Sequence, residues 1–510
     1  MSRPDARTLI DTVLDKDSWT SWDAPPADPA PPGSSYADEL AAARAKSGYD
    51  EAMITGEGRL DGRRVAIAAC EFSFMAGSIG VAAAERFVSA VERATREGLP
   101  LLSAPASGGT RMQEGALAFV QMVKITAAIQ AHRAAGLPYL VYLRHPTTGG
   151  VFASWASLGH VAAAEPEALI GFMGPRVFES LHGYPFPEGV QVSENLHRKG
   201  LLDAVVSAGE ARDVAIKALA VLAADRSAVV AGDPPEEDLR PVEAWEAITR
   251  SRRDDRPGVR TLLKLAATDV TPLSGTGEGE NEPGLLLALA KFGTAPAVVL
   301  GQDRRFQRAN SPLGPAGLRA ARRGMRLAAE LDLPLVTVVD TAGADLSKSA
   351  EEGGLAAEIA RCLAELVMLD APTVCLLLGE GAGGAALALL PADRVLCAQH
   401  AWLSPLPPEG ASAILYRSVD FAPEIAQAQH IRATDLRRDG IVDRVIPEVP
   451  DAAYEPRNFC ERVGRALEHE IALLLRAAPA DRLAARQARY RNLGNPAGWG
   501  PVKAPGGPEA

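Results

Sequence analysis

The feature that most limits how this chain can fold is an internal repeat. Pro100 finds a counterpart in Pro334, an offset of 334 − 100 = 234 residues. The same offset carries Gly109 onto Gly343, Pro138 onto Pro372 and the pair Gly149-Gly150 onto Gly383-Gly384. Gly98-Leu-Pro-Leu-Leu falls on Asp332-Leu-Pro-Leu-Val, and Val161-Ala-Ala-Ala on Val395-Leu-Cys-Ala, without a gap. A fixed period with matching prolines and glycines is the mark of one structural unit used twice. Each unit reads alike. An Ala-rich amphipathic helix (Ala82 to Arg96; Gly317 to Glu330) ends at Leu-Pro, and a β-rich run leads into a small-residue turn (Ser103 to Thr110; Val336 to Ala344). A second helix follows, then a buried strand after Pro138 or Pro372, then the Gly-Gly turn opening a third helix. Strands alternating with helices at this spacing predict a layered α/β unit.

A chain of 510 residues accommodates two such units of roughly 200 residues each. We expect an N-terminal arm over 1–52, polar and rich in Pro, Asp and Ala, with one or two short helices. Two domains follow, over 53–235 and 236–510. The charged, proline-bearing runs GDPPEEDLRP and SRRDDRPG read as the linker between them. The net charge of −11 repels a phosphate backbone, so no nucleic-acid partner is expected. Five cysteines (Cys70, Cys362, Cys375, Cys397 and Cys460) form no C-x-x-C pair, which argues against a zinc ribbon or disulfide framework and suits a reducing cytoplasm. The start, Met1-Ser-Arg-Pro-Asp, has no apolar signal segment. The long apolar stretch Val374 to Leu390 carries Glu380 and several glycines, so it predicts a buried strand running into a helix, with no membrane role.

The chemistry lies in the glycine turns. A Gly-Gly pair between a strand and a helix leaves N–H groups uncovered at the positive helix end. Donors held there stabilise an enolate or oxyanion, and losing one costs roughly 3–4 kcal/mol of barrier. The preceding turn of each unit, Ser107-Gly108-Gly109 or Thr341-Ala342-Gly343, is placed to add a second donor. Two units thus offer two oxyanion holes, although the same glycines also suit close helix–strand packing. Gly379, Gly381 and Gly384 spell G-x-G-x-x-G after a strand, but the next strand ends at Gln399 and His400 where dinucleotide binding needs an acid. No G-x-x-x-x-G-K-[ST], G-x-S-x-G or H-E-x-x-H string occurs. His145 alone among the histidines stands near a glycine turn, in a loop-lining role. Arg111 and Arg176 suit either phosphate contacts or salt bridges. Glu380 and Glu409 read as cap or turn residues.

At these residues the sequence resembles the carboxyltransferase of bacterial acetyl-CoA carboxylase. Ala106-Ser-Gly-Gly-Thr-Arg-Met-Gln-Glu-Gly115, Pro146-Thr-Thr-Gly-Gly-Val151, Ala164-Glu-Pro, Leu169-Ile-Gly-Phe-Met-Gly-Pro-Arg176 and Pro187-Glu-Gly are similar to its β subunit. Asp340-Thr-Ala-Gly343, Gly379-Glu-Gly-Ala-Gly-Gly384, Ser404 and Pro408-Glu-Gly-Ala-Ser-Ala-Ile-Leu415 are similar to its α subunit. The resemblance implies two tandem crotonase-like ββα-superhelix domains, β-like and CoA-binding first, α-like and biotin-binding second. It implies that the Gly149 and Gly150 amides hold the thioester enolate, and Gly383 and Gly384 the biotin ureido oxygen. Carboxybiotin then releases carbon dioxide and the biotin anion takes the α-proton, with no protein base. Ser107, Gly108, Gly109, Arg111, Gly174, Arg176, Gly343, Ala385, Glu409 and Gly410 are the implied substrate-binding positions. The chain departs from the family in lacking the β subunit's zinc ribbon, in Ala342 where Pro is usual, and in His145 where Asp is usual. A gapless family match sets the second glycine pair at Gly384-Ala385, one residue beyond the repeat.

The function so implied is transfer of a carboxyl group from carboxybiotin to acetyl-CoA, giving malonyl-CoA for fatty acid biosynthesis. Propionyl-CoA is an alternative substrate. A malonate decarboxylase-type carboxy-lyase, an enoyl-CoA hydratase-like enzyme and a silent CoA-binding scaffold are the other readings. No Ala-Met-Lys-Met string occurs, so the biotin carboxyl carrier protein and the biotin carboxylase are expected as separate partners. The expected assembly is a homodimer or higher oligomer, cytoplasmic and without a metal of its own.

Overall fold

The computed structural model describes residues 4–27, 30–310 and 312–494. Each half starts from a β-hairpin. Met53–Leu60 and Arg63–Cys70 join through Asp61 (φ +49°) and Gly62 (φ +76°), the doubly left-handed turn that matches strand twist. Leu285–Phe292 and Ala295–Gln302 join at Gly293 (φ +57°). Parallel strands then add to the hairpin's second strand. The first sheet runs Thr20–Ser21, Met53–Leu60, Arg63–Cys70, Leu101–Ala104, Tyr139–Leu143, Val161–Ala164, Ala204–Val205. The second runs Thr268–Leu273, Leu285–Phe292, Ala295–Gln302, Leu335–Thr341, Thr373–Gly381, Arg394–Ala398, Arg444–Ile446. Both are seven-stranded, and together they give two tandem crotonase-like α/β units.

The repeat holds in the middle and slips at its edges. Helices Val81–Arg96 and Pro315–Glu330 obey the offset of 234, as do the starts of helices Gly149–Phe152 and Gly383–Leu387. The hairpins obey 285 − 53 = 232, and the last strands 444 − 204 = 240. The gapless expectation therefore needs correcting by a two-residue insertion after the second hairpin and a six-residue insertion before the last strand. Loops absorb insertions, whereas a one-residue slip inside a strand would turn its apolar face outward.

Helix Val81–Arg96 buries Phe87, Val88 and Val91 on one face of the first sheet, together with Leu101, Tyr139 and Val141. The other face, with Ile67, Leu102, Leu140 and Val161, is covered by helices Ala6–Val13 and Ala208–Leu222 and belongs to one continuous core with the second sheet. The N-terminal segment is thus built into the fold. Asp5 caps its first helix through the Thr8 N–H (2.7 Å), and Leu9, Ile10 and Val13 are buried, each burial worth roughly 1.5–3 kcal/mol. A second helix, Ser35–Ser47, seats Tyr36 and Leu40 against Phe74.

Residues 229–243 carry no regular structure. SRRDDRPG, expected to belong to a linker, is instead a strap pinned to the second domain at Ser251, Arg256 and Pro257, with Asp254 and Asp255 exposed. Arg256 is fully buried on Glu448 (2.5 and 2.7 Å) and the Leu378 carbonyl (3.0 Å), and Arg252 reaches Glu380 and Glu409. Of its charges, Arg256 is spent inside, while Asp254 and Asp255 stay at the surface. Among the described residues no helix is long and apolar enough to cross a membrane.

Candidate active site

In the first half the two glycine turns touch. Gly109 (φ +113°) and Gly149 (φ +65°) lie in the left-handed region, and a Cβ on Gly149 would stand 3.4 Å from the Gly109 Cα. A Cβ on Gly109 would stand 3.7 Å from the Gly150 nitrogen. The turn is stapled from below. Fully buried Ser107 donates its N–H to the Pro146 carbonyl (2.6 Å), accepts from the Thr148 N–H (3.0 Å), and takes the Gly109 N–H on its hydroxyl (3.0 Å). The Gly149 N–H donates to the Phe172 carbonyl (2.8 Å). The next N–H, that of Gly150, sits in the first helical turn where no intrahelical acceptor exists, and it has no hydrogen bond among the described residues.

The second half repeats this pattern around different side chains. Gly383 (φ +67°) donates to the Ser404 carbonyl (2.9 Å), leaving the Gly384 N–H unspent in its first turn. Thr341 is in register with Gly381, and the Ala382 N–H reaches the Thr341 carbonyl (3.2 Å), so the two turns adjoin. Yet a Cβ on Gly343 (φ +139°) would meet nothing within 4 Å, and the residue lines a cavity of about 340 Å³. A buried polar frame replaces the glycine contact. Gln302 accepts from the Asp340 N–H (3.1 Å) and donates to the Ala385 carbonyl (2.7 Å), and Asp340 accepts from the Glu380 N–H (3.0 Å). Burial raises the Asp340 carboxyl above its ordinary range, against the pull of Arg304. Glu380, buried, meets Arg252 (3.2 Å), Arg304 (3.7 Å) and Arg308.

The carboxyl transferase domain model matches residues 29–479. The chain belongs to that family, the carboxyl transferases of the biotin-dependent acyl-CoA carboxylases. It is 59% identical over 496 residues to a probable biotin-dependent acyl-coenzyme A carboxylase beta3 subunit of Mycobacterium tuberculosis, covering 97% of this chain and 100% of that one. It is 37% identical over 521 residues to the acetyl-coenzyme A carboxylase carboxyl transferase subunits beta/alpha of Salinispora tropica, covering 97% and 91%. Its fold is that of the transcarboxylase 12S core, solved as a hexamer with methylmalonyl-coenzyme A, at a TM-score of 0.69 and 22% identity, covering 90% and 89%.

Within this carboxyl transferase, several implied ligand contacts take other partners. Arg111 is fully buried and forked on Glu51 (2.5 and 3.0 Å) with the Ser78 carbonyl (2.8 Å), so its guanidinium is committed to holding the turn. The N–H groups of Gly149, Gly383 and Gly108 are spent on the carbonyls of Phe172, Ser404 and Ala76. The pairs Gly149-Gly150 and Gly383-Gly384 therefore keep one unspent N–H each, whereas in the register Gly384-Ala385 both remain unspent among the described residues. Ala385 is buried, its carbonyl on Gln302. Glu409 is bound to Arg252 (2.5 and 3.1 Å), whose hydrogen bond lowers its carboxyl below the usual range. Gly410 lies in helix Pro408–Tyr416 beside Leu406. Gly174 precedes helix Pro175–His182, where Arg176 is exposed and its guanidinium has no hydrogen bond or ion pair among the described residues. His145 is exposed and accepts the Leu169 N–H at Nδ1 (3.1 Å). Gly379 and Gly381 are close-approach positions: a Cβ would come within 2.4 Å of Asp340 and 2.5 Å of the Trp402 carbonyl, which accounts for G-x-G-x-x-G without a dinucleotide. The sequence reading missed Gln302, Arg304 and Arg308, and it named Asp340 only as part of the segment Asp340-Thr-Ala-Gly343, without a role. Its one signal was the basic run Asp303-Arg-Arg-Phe-Gln-Arg beside a hairpin.

Proposed function

We propose that the chain moves a carboxyl group from carboxybiotin, borne on a separate carrier protein, to acetyl-CoA, giving malonyl-CoA. The observation that carries this is an unspent first-turn N–H at the same place in each half, Gly150 and Gly384, each beside a left-handed glycine turn. The Gly150 N–H takes the thioester oxygen and the Gly384 N–H the ureido oxygen. The domains divide at 235/236, CoA-binding before and biotin-binding after, and Arg176, exposed and without an ion pair among the described residues, meets a CoA phosphate. In the transfer the N–C bond of carboxybiotin breaks and its electron pair stays on the ureido group. That anion takes the α-proton, and the resulting enolate attacks the released carbon dioxide. This chain's part is to hold two oxygens with backbone donors aimed where charge develops.

A biotin carboxylase recharges the carrier, as the beta-subunit naming of the mycobacterial relative supports. A homodimer pairing opposite halves suits the exposed apolar faces, Leu117, Phe119, Val120 and Val123 in one half and Ile414, Leu415 and Tyr416 in the other. Propionyl-CoA is the second reading, favoured by the unrestricted acyl-coenzyme A naming of that relative. The test supplies the full chain with carboxylated carrier protein and a panel of acyl-CoAs. Malonyl-CoA as the dominant product is expected; no product from any acyl-CoA would leave a silent scaffold.

A further inference from the structure

The segment that leads from hairpin to helix is chemically opposite in the two halves. Residues 72–78 of the first half read Phe-Ser-Phe-Met-Ala-Gly-Ser, without a charge, whereas the same stretch of the second begins Arg304-Arg-Phe-Gln-Arg308. Arg304, Arg308, Asn310 and Gly343 share the walls of the open cavity. Three guanidiniums, those of Arg252, Arg304 and Arg308, converge on the single carboxylate of Glu380. Arg252 has a second carboxylate in Glu409, and Arg304 has Asp340 at 3.5 Å. Arg308 has only Asp254 (3.0 Å), whose side chain is 95% exposed and so screens poorly as a counter-charge. Arg305, beside them, makes no ion pair among the described residues. The cavity's own lining holds two cations, Arg304 and Arg308, and no acid, and Arg308 is the one whose second counter-charge lies out in solvent.

We propose that this cavity is built for a planar monoanionic ligand of the carboxylate class, and that Arg308 is the specificity-determining residue that makes the second site receive the anionic partner of the transfer. The inference rests on the carboxybiotin reading above. Carboxybiotin enters as a carboxylate. When its N–C bond breaks, neutral carbon dioxide leaves and the negative charge moves to the ureido oxygen. The ligand is a monoanion before and after, so one fixed guanidinium serves both states without rearranging. The thioester of the first half is neutral on entry, and the segment beside its site, residues 72–78, carries no charge.

The test uses substitutions on the two ends of one ion pair. Arg308→Gln and Glu380→Gln both break the Arg308–Glu380 contact, so a purely structural role moves both in the same direction. A charge role moves them oppositely. Asp254→Asn, at an exposed partner, repeats the Glu380→Gln arm where misfolding is not a concern. With carboxylated carrier protein, Arg308→Gln is expected to raise the KM for the carrier about tenfold or more, the scale of one charge-assisted hydrogen bond, with the KM for acyl-CoA within about twofold. Arg308→Lys recovers part of the loss, and Glu380→Gln and Asp254→Asn lower that KM. In a second arm free of turnover, bicarbonate titrated into the full chain raises Tm saturably in the wild type and not in Arg308→Gln. Equal effects of Arg308→Gln and Glu380→Gln, or an Arg308→Gln enzyme with unchanged carrier KM, overturn the proposal. Absence of transfer in the wild type with bicarbonate binding intact defeats the carboxybiotin reading and leaves the anion site standing. Absence of bicarbonate binding in the wild type defeats the anion site.

Discussion

The two halves reach the same backbone arrangement by different means. In the first, a Cβ on Gly149 would reach the Gly109 Cα at 3.4 Å, and the turn beneath them is fixed by the buried Arg111–Glu51 pair. In the second, Gly343 faces open space, and Gln302, Asp340 and Glu380 hold the neighbouring turns through hydrogen bonds. One hole is closed and bordered by the uncharged segment 72–78, the other is open and lined by Arg304 and Arg308. The difference teaches that a duplicated fold keeps its donor geometry while the segment after the hairpin sets the charge of what each copy binds.

The closed hole is the more fragile, and the sharpest way to break the comparison is through its support. Arg111→Met strands Glu51 in the interior and is expected to cost about 3–5 kcal/mol of stability, read as a lowered denaturant midpoint. The matching substitution at the surface-facing Arg308 should cost far less. Next in size is a pair of alanines. Gly109→Ala sets a methyl 3.7 Å from the Gly150 nitrogen and strains a left-handed residue, so transfer falls about 10²–10³-fold. Gly343→Ala meets open space and suffers the strain alone, so a fall of roughly tenfold or less is expected. Equal losses in a steady-state assay would remove the distinction drawn between closed and open holes.

The smallest effect concerns the joint between the halves. Glu330 of the second half accepts from Arg133 (2.7 and 2.8 Å) and faces His160 Nε2 (3.2 Å), both in the first. The Tyr139 N–H donates to His160 Nδ1, which places the ring proton on Nε2, toward Glu330. Burial holds His160 neutral, below its ordinary pKa. Burial raises the Glu330 carboxyl, but the hydrogen bonds of His160 and Arg133 outweigh it and bring it down to about 2. A carboxylate with a depressed folded pKa stabilises above its unfolded value near 4.5 and loses that contribution as pH falls toward 2. Glu330→Gln should therefore lower stability by roughly 1–2 kcal/mol at pH 7, after solvent screening, and flatten the pH dependence between about 4.5 and 2 in urea titrations. An unchanged slope would mean that this contact does not join the halves.

What could be read from the sequence follows from the range of the interactions involved. Strands and helices of the repeat were legible because their apolar faces recur at fixed spacing, and the paired glycines because they stand beside strand ends. Arg111 was not, since its partner Glu51 lies 60 residues earlier. The strap SRRDDRPG looked like a solvated linker because a charge run usually is one; Glu448, which buries Arg256, is 192 residues away. The spending of the Gly149 N–H depends on the small pairing of Thr147–Thr148 with Ile170–Gly171, too short to leave a pattern. The charge difference between the holes lies where the repeat changes length, so a gapless comparison passed over it.

The most direct test of the account is a crystal structure of the full chain with an acyl-CoA and free biotin bound together. The account predicts the thioester oxygen within about 2.7–3.1 Å of the Gly150 nitrogen and the ureido oxygen at the same distance from that of Gly384. Oxygens found on other donors, or both ligands seated in one half, would contradict it.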